Sequence, residues 1–305
     1  MLEGQDLAGM NRILITGGSG FLGSRISYFY RQKAEGRISV FTPAHRELDF
    51  TSLTSARDYL LATRPEVVFH CGGIADTEYV RTHPEEGYHI NVEGTANLAQ
   101  LTGEMGIPMI FTSSDYVYQG KTIAGKEYCR QTDELYEEEA SSENEYGIQK
   151  LEAEKRCLSA NPLAVALRLT WMYDIPRRGV HNKDNFIVNL FHAEKEKQPL
   201  RFACHEYRGL TDVWQVVKNL EKAISLPTGT YNFGCTNSLP TIKVAELAAH
   251  LLGLSSQIVE EDRERFAERP RNITMSGEKL RGQGITFGST EEGLRRFIKE
   301  NFPVS

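Results

Sequence analysis

Several things are scarce in this chain of 305 residues, and each scarcity excludes something. No apolar run approaches the ~18 residues of a membrane-crossing helix. The opening MLEGQDLAG carries neither the basic patch nor the apolar stretch of a secretory leader, so a cytoplasmic protein is expected. Residues 1–9 precede a second methionine, Met10, and are left out of the fold argument. The five cysteines, at 71, 129, 157, 204 and 235, are odd in number, scattered and without a CxxC pair. That argues against a disulfide framework or a zinc site and for reduced, mostly packing thiols, so no metal is expected. Positive charge is not in excess either: the net charge is −6 with both signs interspersed, which leaves no basic footprint for nucleic acid. Internal repeats and low-complexity tracts are missing. A mean hydropathy of −0.41, with 40% apolar and 25% charged residues, belongs to an ordinary folded chain. The acidic cluster Glu134, Glu137, Glu138 and Glu139 reads as a solvated surface loop.

What is present alternates. Short β-branched runs at Arg12–Thr16, Ile38–Phe41, Val67–Cys71, Met109–Ser113 and Ala164–Leu169 are separated by amphipathic stretches, a pattern that predicts strands joined by helical crossovers. The expected architecture is an α/β, Rossmann-type doubly wound parallel sheet. After Tyr173 the pattern breaks at Pro176, Arg177, Arg178 and Gly179, then resumes as a helical run over Asn185–Lys197, a strand at Gly229–Gly234 and a helix at Thr241–Leu252. We therefore expect a dinucleotide-binding domain over 10–172 with a return segment near 210–235. A smaller C-terminal substrate-binding lobe would be built from 173–209 and 236–305, with a cleft between the two.

Directly after the first strand stands Gly17-Gly18-Ser19-Gly20-Phe21-Leu22-Gly23, opening into a helix that runs to about Arg31. Gly17 permits the tight turn, Gly20 lets backbone approach a pyrophosphate, Gly23 allows helix and sheet to close up, and amides at the helix start attract the anion. Phe21 and Leu22 lie in the same loop. The second strand ends in Phe41-Thr42-Pro43, without the acidic residue that holds a ribose 2′-hydroxyl in NAD-preferring sites. Arg46 is the candidate for a 2′-phosphate, which places NADP ahead of NAD, with an exposed loop charge as the competing reading. Asp49, followed by Phe50, is a candidate for the adenine amino group, with a turn or cap role as its competitor.

Tyr146 and Lys150 are four residues apart and so share a helix face. A lysine ammonium beside a phenol favours the phenolate, and the spacing predicts a tyrosine pKa lowered towards the working range of a general acid or base. The strand at Met109 ends in Ser113-Ser114-Asp115-Tyr116, setting hydroxyls at a strand's C-terminal end, where doubly wound sheets bind ligands. Ser114 is the candidate to hydrogen-bond the reacting oxygen, against a capping role.

These motifs resemble the extended short-chain dehydrogenase/reductase family and, within it, the dTDP-4-dehydrorhamnose reductases. The resemblance is carried by GGSGFLG at 17–23, RELDFTS at 46–52, RPEVVFHCGG at 64–73, NVEGTANLA at 91–99, FTSSDYVYQG at 111–120, YGIQK at 146–150, LRLTWMYD at 167–174 and RPRNITMSGEKL at 269–280. It implies Ser114, Tyr146 and Lys150 as the catalytic trio, with Lys150 also on the nicotinamide ribose. Asn91 falls at the family's helix asparagine, and Cys71, Gly72 and Gly73 in the stretch along the coenzyme. It further implies a nucleotide-diphosphate sugar as substrate, met by Ser114, Asp115 and Tyr116 and, from the second lobe, by Arg208 and Arg271, whose guanidinium groups suit phosphate, with a surface or interlobe ion pair as the competing reading for each arginine. Long helices of this fold can form dimer surfaces, which makes a homodimer the assembly to test.

There are departures. Dehydratases of the family resemble Thr-Asp-Glu where this chain reads Ser114-Asp115-Tyr116, so dehydration is disfavoured. The reductases tend to have Gln at the position of Phe21, a shorter loop than 119–144 and a different sequence over 206–211. The expected reaction is reduction of a 4-keto nucleotide-sugar, with a coenzyme-recycling epimerase as the alternative. A different class is also open: SSDYVY, YGIQK and RPRN resemble the beta subunit of methionine adenosyltransferase, a coenzyme-binding regulatory protein.

Overall fold

The computed structural model describes residues 10–33, 37–119 and 134–302. A six-stranded sheet forms its centre: β1 (Arg12–Thr16), β2 (Ser39–Phe41), β3 (Val67–His70), β4 (Met109–Ser114), β5 (Ala164–Leu169) and, from late in the chain, β10 (Gly229–Phe233). Their order is β10-β5-β4-β3-β1-β2, and every neighbouring pair is parallel. The chain moves outward from β1 to β2, then returns to β3 on the other side of β1. That reversal leaves a crevice beyond the C-terminal ends of β1 and β3.

Both faces of the sheet are covered, and the period of two along each strand decides which core a residue joins. Ile13, Ile15, Val67, Phe69, Ile110, Val165 and Leu167 pack with α1 (Phe21–Lys33) and, later in the chain, α8 (Val213–Ala223). Their neighbours Leu14, Val68, Met109, Phe111, Ala164 and Ala166 form the opposite core with α2 (Leu53–Thr63), α5 (Thr95–Glu104) and α6 (Glu145–Ala160). Between α2 and α5 run the short α3 (Thr77–Thr82) and α4 (Pro84–Tyr88), and a π-helical turn, His89–Gly94, joins α4 to α5. Such a turn inside helical chain often marks a functional position.

A third core gathers Tyr173, Phe186, Leu190, Val244, Ala248, Leu294 and Phe297, from β6 (Trp171–Tyr173), α7 (Phe186–Glu196), α9 (Thr241–Leu251) and the C-terminal helix Thr290–Asn301. Two two-stranded pieces belong here, β6 with β9 (Leu210–Asp212) and β7 (Leu200–Ala203) with β11 (Val259–Asp262), and a further piece pairs β8 (Glu206–Tyr207) with β12 (Arg271–Asn272). The chain passes between the cores more than once, returning through α8 and β10 to the edge of the main sheet.

The acidic cluster is only in part the solvated loop expected of it: Glu138 is exposed, but Glu137 is tied to the sheet. Glu137 takes the Asn232 amide on its carboxylate at 2.9 Å and the Arg168 guanidinium on its carbonyl at 2.8 Å, which pins this segment to β10 and β5. Leu135 is buried beside Met275 and exchanges backbone hydrogen bonds with Thr274 and Ser276. An unpaired amide on an edge strand is a liability, and Glu137 covers one. The rest of the 119–144 loop, residues 120–133 with Cys129, lies outside the described residues. Cys71, Cys157, Cys204 and Cys235 are free thiols.

Candidate functional site

A cavity of about 850 Å³ runs from the C-terminal ends of β1, β3 and β4 to the segments around β8 and β12. One end is made mostly of backbone. Gly17, at φ +66°, takes the left-handed conformation that disfavours a side chain, and an added Cβ would lie 2.6 Å from the Cys71 carbonyl. A Cβ on Gly23 would be driven into the Gly17 carbonyl. The first helical bond of α1 runs from Ser24 N–H to Gly20 O at 3.0 Å, leaving the amides of residues 21–23 at the helix's open end. Gly17, Gly20, Phe21, Leu22 and Gly23 all line the cavity, as do Cys71, Gly72 and Gly73. Bare backbone, small residues and an open helix end fit the pyrophosphate of a dinucleotide.

Buried polar groups brace this end. Thr95 Oγ1 donates to the Asn91 carbonyl, so it must accept from His70 Nε2 at 3.0 Å. His70 Nδ1 is then the acceptor for Thr16 Oγ1 at 2.6 Å, and Thr16 Oγ1 in turn accepts the Gly72 amide at 3.2 Å. The ring is held neutral, burial pushing its pKa down to about 3 with the Lys150 charge adding to the effect. Asn91 clamps Ile74 through both amide atoms, at 2.8 and 3.1 Å, and also donates to Gln149.

Phe50 sits behind the wall, its ring under Gly72 and Gly94 and edge-on to His70. Asp49 takes its turn role, accepting Thr51 N–H at 3.0 Å and Thr51 Oγ1 at 2.6 Å. Arg46 is exposed and is not part of the lining.

At mid-cavity Ser114, Tyr146 and Lys150 come together on the wall. Asn144 caps α6 by accepting Gly147 N–H at 3.3 Å, and Gly147 lets the helix start close against β4: a Cβ there would overlap Ser142 and the Tyr116 carbonyl. Lys150 Nζ donates to the Thr112 carbonyl at 3.0 Å and lies over the rings of Phe111 and Tyr146, 4.8 and 5.6 Å from their centroids. Burial lowers its pKa to about 8, against the opposing pull of Glu154 and Cys71. Glu154 joins the two elements of the trio, accepting Ser113 Oγ at 2.5 Å while pairing with Arg168 at 2.7 Å.

The expected lowering of the Tyr146 pKa is not found. Burial pushes the phenol well up and Asp115 adds to the rise, with a hydrogen bond to Ser114 only partly opposing them. Desolvation sets the direction, and the group pulling against it is Ser114, not the ammonium. Ser114 also performs the capping role weighed against it, accepting Tyr116 N–H at 3.3 Å.

The far end is built from charged side chains. Arg208 pairs with Asp115 at 2.8 Å and Arg271 with Glu206 at 3.4 Å, all four side chains no more than 9% exposed. Arg208 Nε and Arg271 Nε and Nη2 are buried without a hydrogen-bond partner among the described residues. Tyr116 lies against both guanidinium groups, 5.6 and 4.9 Å away, and meets the Tyr146 ring edge-on at 5.9 Å. Trp171 and Glu206 were not foreseen: Trp171 supports Arg208 at 4.9 Å, and both line the cavity. The segment LRLTWMYD did flag position 171, but not this contact. Among the described residues no group of His, Cys, Asp and Glu could hold a metal ion, and no helix is long and apolar enough to cross a membrane.

Strand order, glycine turn and a Ser–Tyr–Lys cleft define a Rossmann-type α/β protein of the short-chain dehydrogenase/reductase kind. The family described as RmlD substrate binding domain matches residues 10–302, and the chain belongs to it. It is similar to methionine adenosyltransferase 2 subunit beta of Bos taurus, 25% identical over 291 residues that cover 90% of this chain and 83% of that protein. Among solved structures it resembles the dTDP-4-dehydrorhamnose reductase of Bacillus anthracis in complex with NADP, with a TM-score of 0.79 at 22% identity, covering 95% of this chain and 99% of that one. It also resembles the UDP-glucose 4-epimerase of Thermus thermophilus in complex with NAD, with a TM-score of 0.72 at 20% identity, covering 96% and 100%. At these identities the two structures speak for the fold.

Proposed function

We propose that the protein is an NAD(P)-dependent oxidoreductase that reduces the 4-keto group of a nucleotide-linked deoxysugar. One observation carries the reading: a single cavity is lined by a dinucleotide-type glycine loop, by Ser114, Tyr146 and Lys150, and by two buried guanidinium groups with unpaired donors. Cations outnumber carboxylates along its wall, Lys150, Lys183, Arg201, Arg208, Arg265 and Arg271 against Asp76, Asp115, Asp184 and Glu206, although the whole chain carries −6. An anionic ligand is the complement of such a wall. A diphosphate meets the unpaired N–H groups of Arg208 and Arg271 with the planar geometry guanidinium favours.

The coenzyme would be held by residues 17–23 and 71–73, with the ribose near Tyr146 and Lys150, and when bound it supplies the hydride. The chain's own residues handle the proton. Burial keeps Tyr146 as a neutral phenol, the form needed to give a proton to a carbonyl oxygen, so the raised pKa favours reduction. Ser114 orients that oxygen, and the Lys150 ammonium stabilises the phenolate left behind. Arg46 is the residue we assign to a 2′-phosphate, which places NADP ahead of NAD. A recycling epimerase uses the same groups but returns the coenzyme unchanged.

The test is oxidation of NADPH and of NADH by the purified protein on addition of dTDP-4-dehydrorhamnose, with product analysis and Tyr146→Phe alongside. Turnover lost in the variant supports the reading. Epimerised product without net coenzyme oxidation replaces it by the epimerase. A second reading, a coenzyme-binding regulatory subunit, is favoured by the similarity to methionine adenosyltransferase 2 subunit beta across 90% of the chain. Stable association with a methionine adenosyltransferase catalytic subunit, together with no turnover on keto-sugars, would establish it.

A further inference from the structure

Arg271 is an unusual residue to leave partly unpaired. Its side chain is 9% exposed and, among the described residues, its one ion pair is a 3.4 Å contact with Glu206 and Nε and Nη2 have no partner. A flexible guanidinium in that position needs something to hold its plane. Two rings do so: Tyr116 at 4.9 Å and Phe266 at 5.4 Å from the guanidinium carbon. Tyr116 follows the Ser114 strand and was foreseen as a ligand contact. Phe266 comes from the loop between β11 and β12 and was not.

Phe266 has φ +61°, and a bulky residue with left-handed backbone is an outlier that surrounding structure must enforce. Its neighbours do not explain it as a core anchor: the ring is half-buried and belongs to none of the hydrophobic clusters. What it touches is charge, Arg265 at 5.1 Å and Arg271 at 5.4 Å, and both arginines line the cavity. The turn is tied down by Asp262, which accepts Arg265 N–H at 3.0 Å, and by Ala267 N–H donating to Glu264 O at 3.1 Å. A glycine would adopt this backbone without strain. The ring is what the position keeps.

We infer that Phe266 is a positioning residue for ligand specificity, its ring holding the Arg271 guanidinium, against Tyr116, in the orientation that receives the diphosphate of a nucleoside diphosphate. This rests on the nucleotide-sugar reading above and adds a residue to it. The ring acts through cation–π contact, which is strongest where the cation is already desolvated, as Arg271 is.

The experiment measures calorimetric affinity for uridine 5′-diphosphate and thymidine 5′-diphosphate with the full chain carrying Phe266→Gly, Phe266→Leu or Phe266→Tyr. NADPH affinity serves as the control for an intact fold. The glycine and leucine variants are expected to lose nucleotide affinity by about tenfold and to keep NADPH affinity within about twofold, with Phe266→Tyr restoring nucleotide affinity to within about threefold of wild type. If the glycine variant loses NADPH affinity as well, the leucine variant decides. Equal nucleotide affinity in wild type and in the variants that keep NADPH affinity, or a loss in Phe266→Tyr as large as in Phe266→Leu, overturns the inference alone. No binding of either nucleotide by the wild type overturns the nucleotide reading and this inference with it.

Discussion

The two ends of the cavity are made by opposite means. At the glycine end the wall is backbone, and the polar groups behind it are paired: Thr16, His70, Thr95 and Asn91 form a closed chain of hydrogen bonds. At the arginine end the wall is side chain, and three guanidinium nitrogens have no partner among the described residues. A finished hydrogen-bond network is rigid and holds the wall in place, so this end offers a ligand its shape and the open amides of residues 21–23. An unfinished one is costly while empty and rewards a ligand that completes it. The first end suits a group shared by many proteins, and the second suits the group that distinguishes this one.

The largest expected effect lies between the two ends. Tyr146→Phe removes the proposed proton donor and should lower the reduction rate by about 10²–10⁴-fold while coenzyme affinity is kept, as read by turnover beside coenzyme titration. A comparable loss of coenzyme affinity would mean that the middle of the cavity belongs with the glycine end. At the arginine end, Arg208→Met leaves the Asp115 carboxylate buried without its cation. The expected loss of stability is about 3–5 kcal/mol, seen as a lower denaturation midpoint. No shift would mean that the pair is not the desolvated element described here.

At the glycine end, Gly23→Ala pushes a methyl group against Gly17, and a displacement of the loop by about 1 Å should weaken coenzyme binding by about 10²-fold without touching nucleotide affinity. Equal damage to both affinities would erase the distinction between the ends.

The pH profile gives a smaller effect. Lys150 has a folded pKa of about 8 against its ordinary 10.5. Reductase activity should therefore fall as pH rises through about 8, when the ammonium is lost. Its contribution to stability has the opposite course. Between pH 8 and 10.5 the unfolded chain binds the proton that the folded chain does not, so this group's burden on the fold is full below pH 8 and is relieved as pH rises. Lys150→Met should abolish both trends in rate and denaturation profiles. The smallest effect is at exposed Arg46, where alanine should weaken NADP about fivefold and leave NAD unchanged in paired titrations.

Much of the fold was legible because the signal is local. β1 and β5 fall at their expected bounds, and α1, α7 and α9 within two residues of theirs, since periodicity and caps act over a few neighbours. The glycine turn was legible for the same reason. The Tyr146 pKa was not: sequence spacing reports the lysine four residues away but not the burial that raises the phenol. Glu137 likewise reads as one more surface acid until β10 arrives beside it from 95 residues further on.

By itself, then, the sequence determined the strand–turn–helix of the glycine loop, the shared face of Tyr146 and Lys150, and Ser114 at a strand's end. Each of these depends on contacts within a handful of residues. Tertiary structure alone decided that Phe50 stands behind the cavity wall and that Trp171 and Phe266 support the arginines. It also left Arg208 and Arg271 with unspent donors. Those outcomes come from segments near 116, 171, 208 and 271 converging on one point, and desolvation is a property of that point, not of any segment that reaches it.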